Sequence, residues 1–322
     1  MFNTNKRLAL LIGIDDYGWT GGRLYGCVND ASQLSTMLSS DYKDRPNFNC
    51  KLLTSDKQKI TRSVLRKEID NLFSQEADIV LFYFSGHGVE NKNGGMLVTQ
   101  DATKFDEGVA LNELVNAANQ ASNVKEIFII LDCCHSGHAG NSVVVNHNTV
   151  LRSGLSILTA SLPNQFSMEV NGNGLFTQII LDGLNGGAAD TLGVVTAASL
   201  YNYAEKILDF WQQRPVFKAH CSEITPLRLT RPRLTRKELY KLIKYFKTED
   251  FKYPLDKSYE PTEEPKSKRN EKIFSYLQKF TSAGLVQPIG AKHMYFAVMK
   301  NKCCELTPTG KFYWKLVKNR KI

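Results

Sequence analysis

The chain has 322 residues, 42% apolar and 23% charged, with a net charge of +9. That length allows about two domains, and the balance excludes disordered, collagenous and coiled-coil chains. No apolar run nears the roughly 20 residues that span a bilayer, so neither a membrane span nor a membrane partner is expected. The run Leu8–Ile14 stops at Asp15 and Asp16 and reads as a buried strand rather than a signal peptide. The seven cysteines are an odd count, and two pairs are adjacent, Cys133-Cys134 and Cys303-Cys304. A secreted disulfide framework is therefore not expected, and a reducing cytoplasm is.

In chain order, Arg7–Ile14 predicts a strand. Asp30–Leu38 has helical spacing at Ala31, Leu34, Met37 and Leu38. Cys50–Leu53 predicts a short strand, and Val64, Leu65, Ile69, Leu72 and Phe73 mark a second helix. Ile79–Phe84 is continuously apolar and too short for a helix; Leu111, Leu114, Val115 and Ala118 mark a third helix. Ile127–Leu131 and Leu155–Leu158 predict further strands, Phe176–Leu184 and Ala197–Phe210 predict helices, and Pro215–Ala219 a last strand. Continuous apolar strands alternating with helices imply crossover connections. The fold class expected for residues 1–230 is α/β, with a mostly parallel central sheet flanked by helices.

Residues 231–322 differ. They hold 22 Lys and Arg against 9 Asp and Glu, whereas the first 230 hold 19 against 23. Helical patterns at Lys237–Phe246 and Glu271–Phe280 flank the proline- and charge-rich stretch Tyr253–Asn270, which reads as a flexible linker or long exposed loop. A hairpin is predicted from Tyr295–Met299 through Asn301-Lys302 to Cys303–Leu306, then a helix opened by Thr307-Pro308. This order suggests a small, basic, winged-helix-like module.

Two motifs stand at the ends of the most hydrophobic strands: Ser85-Gly86-His87-Gly88 and Asp132-Cys133-Cys134-His135-Ser136-Gly137. Ligands of an open parallel sheet bind beyond the carboxyl ends of its strands, so both motifs point at one crevice. They bring a histidine and a cysteine, and a thiolate nucleophile needs a nearby base. Glycines beside the histidine let a substrate backbone approach and free an N–H for an oxyanion. Adjacent Cys133, Cys134 and His135, with His138, offer a weaker zinc reading, because neighbouring ligands converge on one ion less readily than i, i+4 pairs. No metal is expected.

Together the motifs resemble the metacaspase and orthocaspase branch of the caspase-fold cysteine peptidases. The resemblance runs from about Arg7 to Pro226. It includes Leu24-Tyr25-Gly26-Cys27-Val28-Asn29-Asp30, and Ala160-Ser161 through Gly174-Leu175-Phe176-Thr177. The Gln-Ala-Cys-Arg-Gly segment of true caspases is missing. The resemblance implies Cys134 as nucleophile, since it directly precedes His-Ser-Gly, with Cys133 at the variable position. It implies His87 as base and proton donor, and the Gly88 and Cys134 N–H groups as oxyanion hole. It implies an acidic first-position pocket from Cys27, Asp30, Ser85 and Asp132 that takes Arg or Lys; carboxylates pair bidentately with a guanidinium. The alternative for Asp30 is a helix cap. The protein substrate would carry a basic residue before the scissile bond.

Many metacaspases bind calcium through several aspartates. Here Asp101 fits the first position, but Asn112 and Glu113 replace paired aspartates and Asn141 stands where another is usual. Hard cations want clustered carboxylates, so calcium activation is not favoured and no cofactor is expected. Arg152, the one basic residue between Cys134 and Leu155, is a candidate self-cleavage point, or simply a surface arginine. The expected function is a regulated cysteine endopeptidase, of a fold that in bacteria serves stress, cell-death or antiviral systems. The basic module would bind a protein partner, with nucleic acid as a further candidate. The alternatives are a non-catalytic caspase-fold interaction protein and a DNA-binding regulator.

Overall fold

The computed structural model describes residues 6–18, 22–91, 94–104, 106–135, 150–160, 169–170, 172–208 and 215–322, by main chain alone at 91, 134–135 and 169–170. The chain divides into two compact units: Met1–Ala189 with Val194–Thr230, and Asp190–Gly193 with Arg231–Ile322.

In the first unit β1 (Arg7–Gly13) leads to α1 (Cys27–Ser39), β2 (Asn49–Thr54) and α2 (Arg62–Phe73). Then come β3 (Ala77–Asn91), β4 (Gly94–Thr103), β5 (Asp106–Ala110), α3 (Leu111–Gln120), β6 (Val124–His135) and β7 (Leu155–Thr159). The short strands β8 (Glu169–Val170) and β9 (Asn173–Gly174) precede α4 (Leu175–Asp182) and a π-helical turn at Gly183–Gly187. β10 (Val194–Thr196), α5 (Ala197–Leu208), β11 (Val216–His220) and β12 (Pro226–Leu229) follow.

Strands β2, β1, β3, β6 and β7 lie side by side and parallel. β11 adds antiparallel to β7, β4 pairs antiparallel with the end of β3, and β5 with β4. Successive strand residues point to opposite faces, and both faces are covered. Ile12, Val80, Phe82, Phe84 and Ile129 pack with Ile69, Leu72, Leu114 and Val115 of α2 and α3. Leu11, Leu81, Tyr83, Phe128 and Ile130 pack with residues of α1, α4 and α5, including Leu34, Ile180 and Leu200. Burial on both faces is why these strands read as unbroken apolar runs.

The motifs expected at the strand ends do not both close their strands: Ser85–Gly88 lies inside β3, whereas Asp132–His135 is the last part of β6. β3 and β6 pair without a break from Ile79↔Glu126 to Gly88↔His135, so the ladder runs on through the glycines. Nor does Asp30 cap α1. The helix begins three residues earlier, and the Cys27 and Val28 N–H groups donate to Asp15 Oδ1 at 2.8 and 3.3 Å.

The second unit contains α6 (Arg236–Tyr245), β13 (Tyr253–Pro254), α7 (Lys268–Ser282), β14 (Val286–Ile289), α8 (Met294–Met299), β15 (Cys303–Leu306) and α9 (Pro308–Lys318). Its antiparallel sheet has the order β13-β15-β14. Leu239, Leu242, Phe246, Phe274, Leu277, Phe280, Tyr313 and Val317 form its core. A capping box between Thr235 and Glu238 starts α6, and Thr307 caps α9 ahead of Pro308.

Here too the structure departs from the sequence reading. Tyr295–Met299 is helix, and the hairpin partner of β15 is β14. Met294, Ala297 and Val298 are buried at helical spacing, and that period outweighs the β-forming aromatics. The supposed linker is packed at its start: Tyr253-Pro254 joins the sheet, and Leu255, Ser258 and Tyr259 are buried. Edge-to-face contacts of Tyr259 with Tyr253 and Phe274 anchor it, so the charge-rich composition concealed a core contribution. The mostly exposed part is residues 260–266.

Candidate active site

The register of β3 and β6 brings the two motifs together. Ser85 pairs with Asp132, His87 with Cys134 and Gly88 with His135. Alternation puts positions 85, 87 and 132 on the face that carries Tyr83 and Ile130. Cys133 belongs to the opposite face and packs in the core with Phe84 and Leu131. Sequence adjacency therefore does not make the two cysteines equivalent.

The His87 imidazole is buried, with Nε2 2.9 Å from the Gly22 carbonyl oxygen. A carbonyl only accepts, so the neutral ring carries its hydrogen on Nε2 and leaves the Nδ1 lone pair open. Nδ1 is buried and makes no hydrogen bond among the described residues. Burial lowers the His87 pKa from its usual value, and the Gly22 carbonyl partly offsets this. The ring is therefore a neutral base whose acceptor nitrogen has no hydrogen-bond partner among the described residues.

Tyr17 fixes the same residue from the main chain. The His87 N–H donates to Tyr17 Oη at 2.8 Å, and the two rings lie 4.6 Å apart at 46°. Gly86 is required for this approach, because a Cβ there would sit 2.1 Å from Tyr17 Oη. Tyr17→Phe keeps the ring and removes the acceptor, leaving a buried N–H unpaired. We expect a loss of about 1–3 kcal/mol, read by urea unfolding; an unchanged midpoint and slope would refute this role.

Four residues expected to form an acidic pocket lie together. Asp30 Oδ2 accepts from Ser85 Oγ at 3.1 Å, and the Asp30 carboxylate accepts the Gly174 N–H at 3.0 and 3.3 Å. Asp132 Oδ2 accepts from Thr177 Oγ1 at 2.6 Å, and Thr177 Oγ1 lies 2.5 Å from Tyr83 Oη. A Cβ on Gly174 would meet Asp132 Oδ2 at 3.0 Å and Asp30 Oδ2 at 3.1 Å, so the two carboxylates flank one point. Burial, then repulsion from Asp132, holds the Asp30 carboxyl well above the usual range; burial does the same to Asp132. Cys27 is buried beside Ser85, with its thiol pushed up by burial. A cation placed between the two carboxyls would offset the cost of burying their negative charges.

Gly174, Thr177, Tyr83, Tyr17 and Gly22 were not predicted as site residues. Gly174 and Thr177 lay in a segment already singled out, but nothing in its spacing assigned them to carboxylates on other strands. Tyr17 and Gly22 carry no local signal at all.

Other candidates lie elsewhere. Arg152 sits at the opposite end of β6, with its N–H on Asn119 Oδ1 at 2.9 Å and its guanidinium on the Val124 carbonyl at 2.5 Å. A bond after Arg152 would have to leave these contacts before entering a protease cleft. Asp101 accepts from Thr99 Oγ1 and from the Arg62 N–H that opens α2, and Glu113 forms a bidentate pair with Arg66. Among the described residues no group of three or more His, Cys, Asp and Glu is placed to hold a metal ion. His138, Asn141 and the segment 140–148 lie outside the described residues. No helix among those described is long and apolar enough to cross a membrane.

A mostly parallel sheet of this order, with His87 and Cys134 as register partners on its two neighbouring central strands, can be set beside known proteins. The caspase-domain family profile matches residues 6–224, and the chain belongs to this family of cysteine peptidases. Curated proteins that it matches include metacaspases. It is 31% identical over 154 residues to Metacaspase-1 of Pyricularia oryzae, covering 42% of this chain and 38% of that protein. It is 28% identical over 152 residues to Metacaspase-1 of Plasmodium falciparum, covering 37% and 25%. The chain thus spans well under half the length of these relatives. A Geobacter sulfurreducens protein of solved structure superposes with TM-score 0.51 at 18% identity, covering 71% of this chain and 98% of that one. The structure of pro-sf-caspase-1 gives 0.50 at 14%, covering 70% and 94%. These two likenesses bear on the fold alone.

Proposed function

We propose that the chain is an active cysteine endopeptidase that cleaves proteins after Arg or Lys. The observation that supports it most is the juxtaposition of the Asp30–Asp132 carboxylates with His87, whose Nδ1 is open, beside the register partner Cys134. In this reading the Cys134 thiol gives its proton to His87 Nδ1, and the sulfur attacks the scissile carbonyl carbon. The carbonyl oxygen becomes an oxyanion, stabilised by the Gly88 and Cys134 N–H groups. The C–N bond breaks as the imidazolium returns its proton to the leaving amine. Water, deprotonated by His87, then hydrolyses the thioester and frees the thiol. The basic side chain before the scissile bond occupies the carboxylate pocket. No cofactor enters this scheme, and calcium is not required. The basic second unit, read as a winged-helix-like module, would place or sense a protein partner.

The test is hydrolysis of fluorogenic peptides ending in Arg, Lys, Asp or Leu, with calcium and with chelator. Turnover restricted to Arg and Lys, and equal in chelator, is expected. Turnover only after Asp or Leu would overturn the pocket assignment of Asp30 and Asp132. Silence on all four peptides would favour a non-catalytic caspase-fold interaction protein.

A further inference from the structure

The surface of α8 in the second unit has features that peptide hydrolysis does not use. This helix lies in the connection between β14 and β15 and buries Met294, Ala297 and Val298. Its other side leaves Tyr295 42% and Phe296 45% exposed. Their rings are 5.5 Å apart at 72°, and the His293 ring lies 6.1 Å from Phe296. Leaving two neighbouring aromatics in water forgoes the stabilisation that burial would bring.

Lys292, Lys300 and Lys302, which flank the two aromatics in sequence, are exposed. No acidic residue occurs in sequence between Glu271 and Glu305. These three lysines make no ion pair among the described residues, whereas Lys279, Lys311 and Lys315 pair with Glu238, Asp250 and Glu249. The helix exit is tied down: Asn301 takes a left-handed φ of 48°, and the Lys302 N–H donates to the Ala297 carbonyl at 2.8 Å. The two rings are thus carried by a helix whose exit is fixed, with the lysines in the segments that enter and leave it.

We propose that this surface binds single-stranded nucleic acid. Unpaired bases offer flat faces to Tyr295 and Phe296, and successive phosphates meet the lysines. An acidic peptide would match the lysines but has no flat partners for the rings. In a duplex the bases are stacked on one another and withheld from the rings. The excess of 22 basic over 9 acidic residues across Arg231–Ile322 adds sequence-independent attraction to a polyanion.

The experiment is fluorescence anisotropy of the full chain with labelled oligonucleotides of about 20 residues, oligouridylate and oligothymidylate, against a matched duplex and polyglutamate. Binding of one or both single strands in preference to the duplex is expected, and the two arms separate RNA from DNA. Tyr295→Ala and Phe296→Ala should each weaken binding about tenfold. Replacing Lys292, Lys300 and Lys302 by Gln should flatten the salt dependence by about 0.7 per lysine. All these side chains are exposed, and thermal unfolding of each variant checks that the fold is kept. The proposal falls if no oligonucleotide binds at low salt, if the aromatic variants bind like wild type, or if polyglutamate binds more tightly than the single strands. Peptide hydrolysis is a separate readout, so either conclusion can fail alone.

Discussion

Cys134→Ala is expected to lose at least about 10⁴-fold in kcat/KM on an Arg peptide, while Cys133→Ala stays within a few-fold of wild type. Removing the nucleophile of a covalent mechanism leaves only binding and electrostatic stabilisation to act. The contrast between adjacent cysteines follows from strand geometry. Position 134 is the register partner of His87, whereas Cys133 packs into the opposite core layer. Its truncation leaves a small cavity on that side, felt as stability rather than turnover. Kinetics of both variants, with thermal unfolding, check this; equal loss in the two would refute the assignment. His87→Ala should match Cys134→Ala. Because burial lowers the His87 pKa, the neutral base survives to lower pH than an ordinary histidine, and the acid limb of kcat/KM should fall below about pH 6.5.

Asp30→Asn should cost about 100-fold or more in kcat/KM on Arg and Lys peptides, because a buried cation loses half of its counter-charge. The same change should make the unliganded protein more stable at alkaline pH. The sign follows from linkage. Both pocket carboxyls titrate above their usual value when folded, so the folded state binds more protons than the unfolded chain between the two values. No penalty exists below the unfolded value near 3.8, and stability falls as pH rises through the raised values. Asn cannot ionise, so the penalty from that position disappears while one acceptor remains for the Gly174 N–H or Ser85 Oγ. Thermal unfolding at about pH 5 and about pH 8.5 should show the advantage of Asp30→Asn growing with pH, to at least the ~1.4 kcal/mol that one pK unit is worth. A constant or shrinking difference would show that the carboxyls do not repel across this pocket. A gain in stability with a loss of turnover would identify a site that holds its carboxylates at a cost because the substrate relieves it.

The amino-acid sequence by itself determined the α/β architecture of the first unit. The apolar runs at Leu8–Ile12, Ile79–Phe84, Ile127–Leu131 and Leu155–Leu158 are strands because burial on both faces leaves no room for polar alternation. It also marked the histidine and cysteine motifs, because glycines around chemically active side chains stand out against such runs. It misjudged the second unit where composition and period disagree: Tyr295–Met299 looks β-forming, yet three buried positions at helical spacing make it helix. It placed Tyr253–Asn270 in a linker because charges outnumber the two aromatics, Tyr253 and Tyr259, that in fact pack its start against the core.

Only the tertiary structure decided how the site is assembled. Register pairing of β3 with β6 set His87 against Cys134 and sent Cys133 to the other face. Contacts between distant segments supplied the rest. Gly22 determines which nitrogen of His87 is open, Tyr17 holds its main chain, and Gly174 brings Asp30 toward Asp132 from more than a hundred residues away. Such contacts leave no periodic or local trace, because a hydrogen bond across a fold constrains one atom of each partner and nothing in the residues between them.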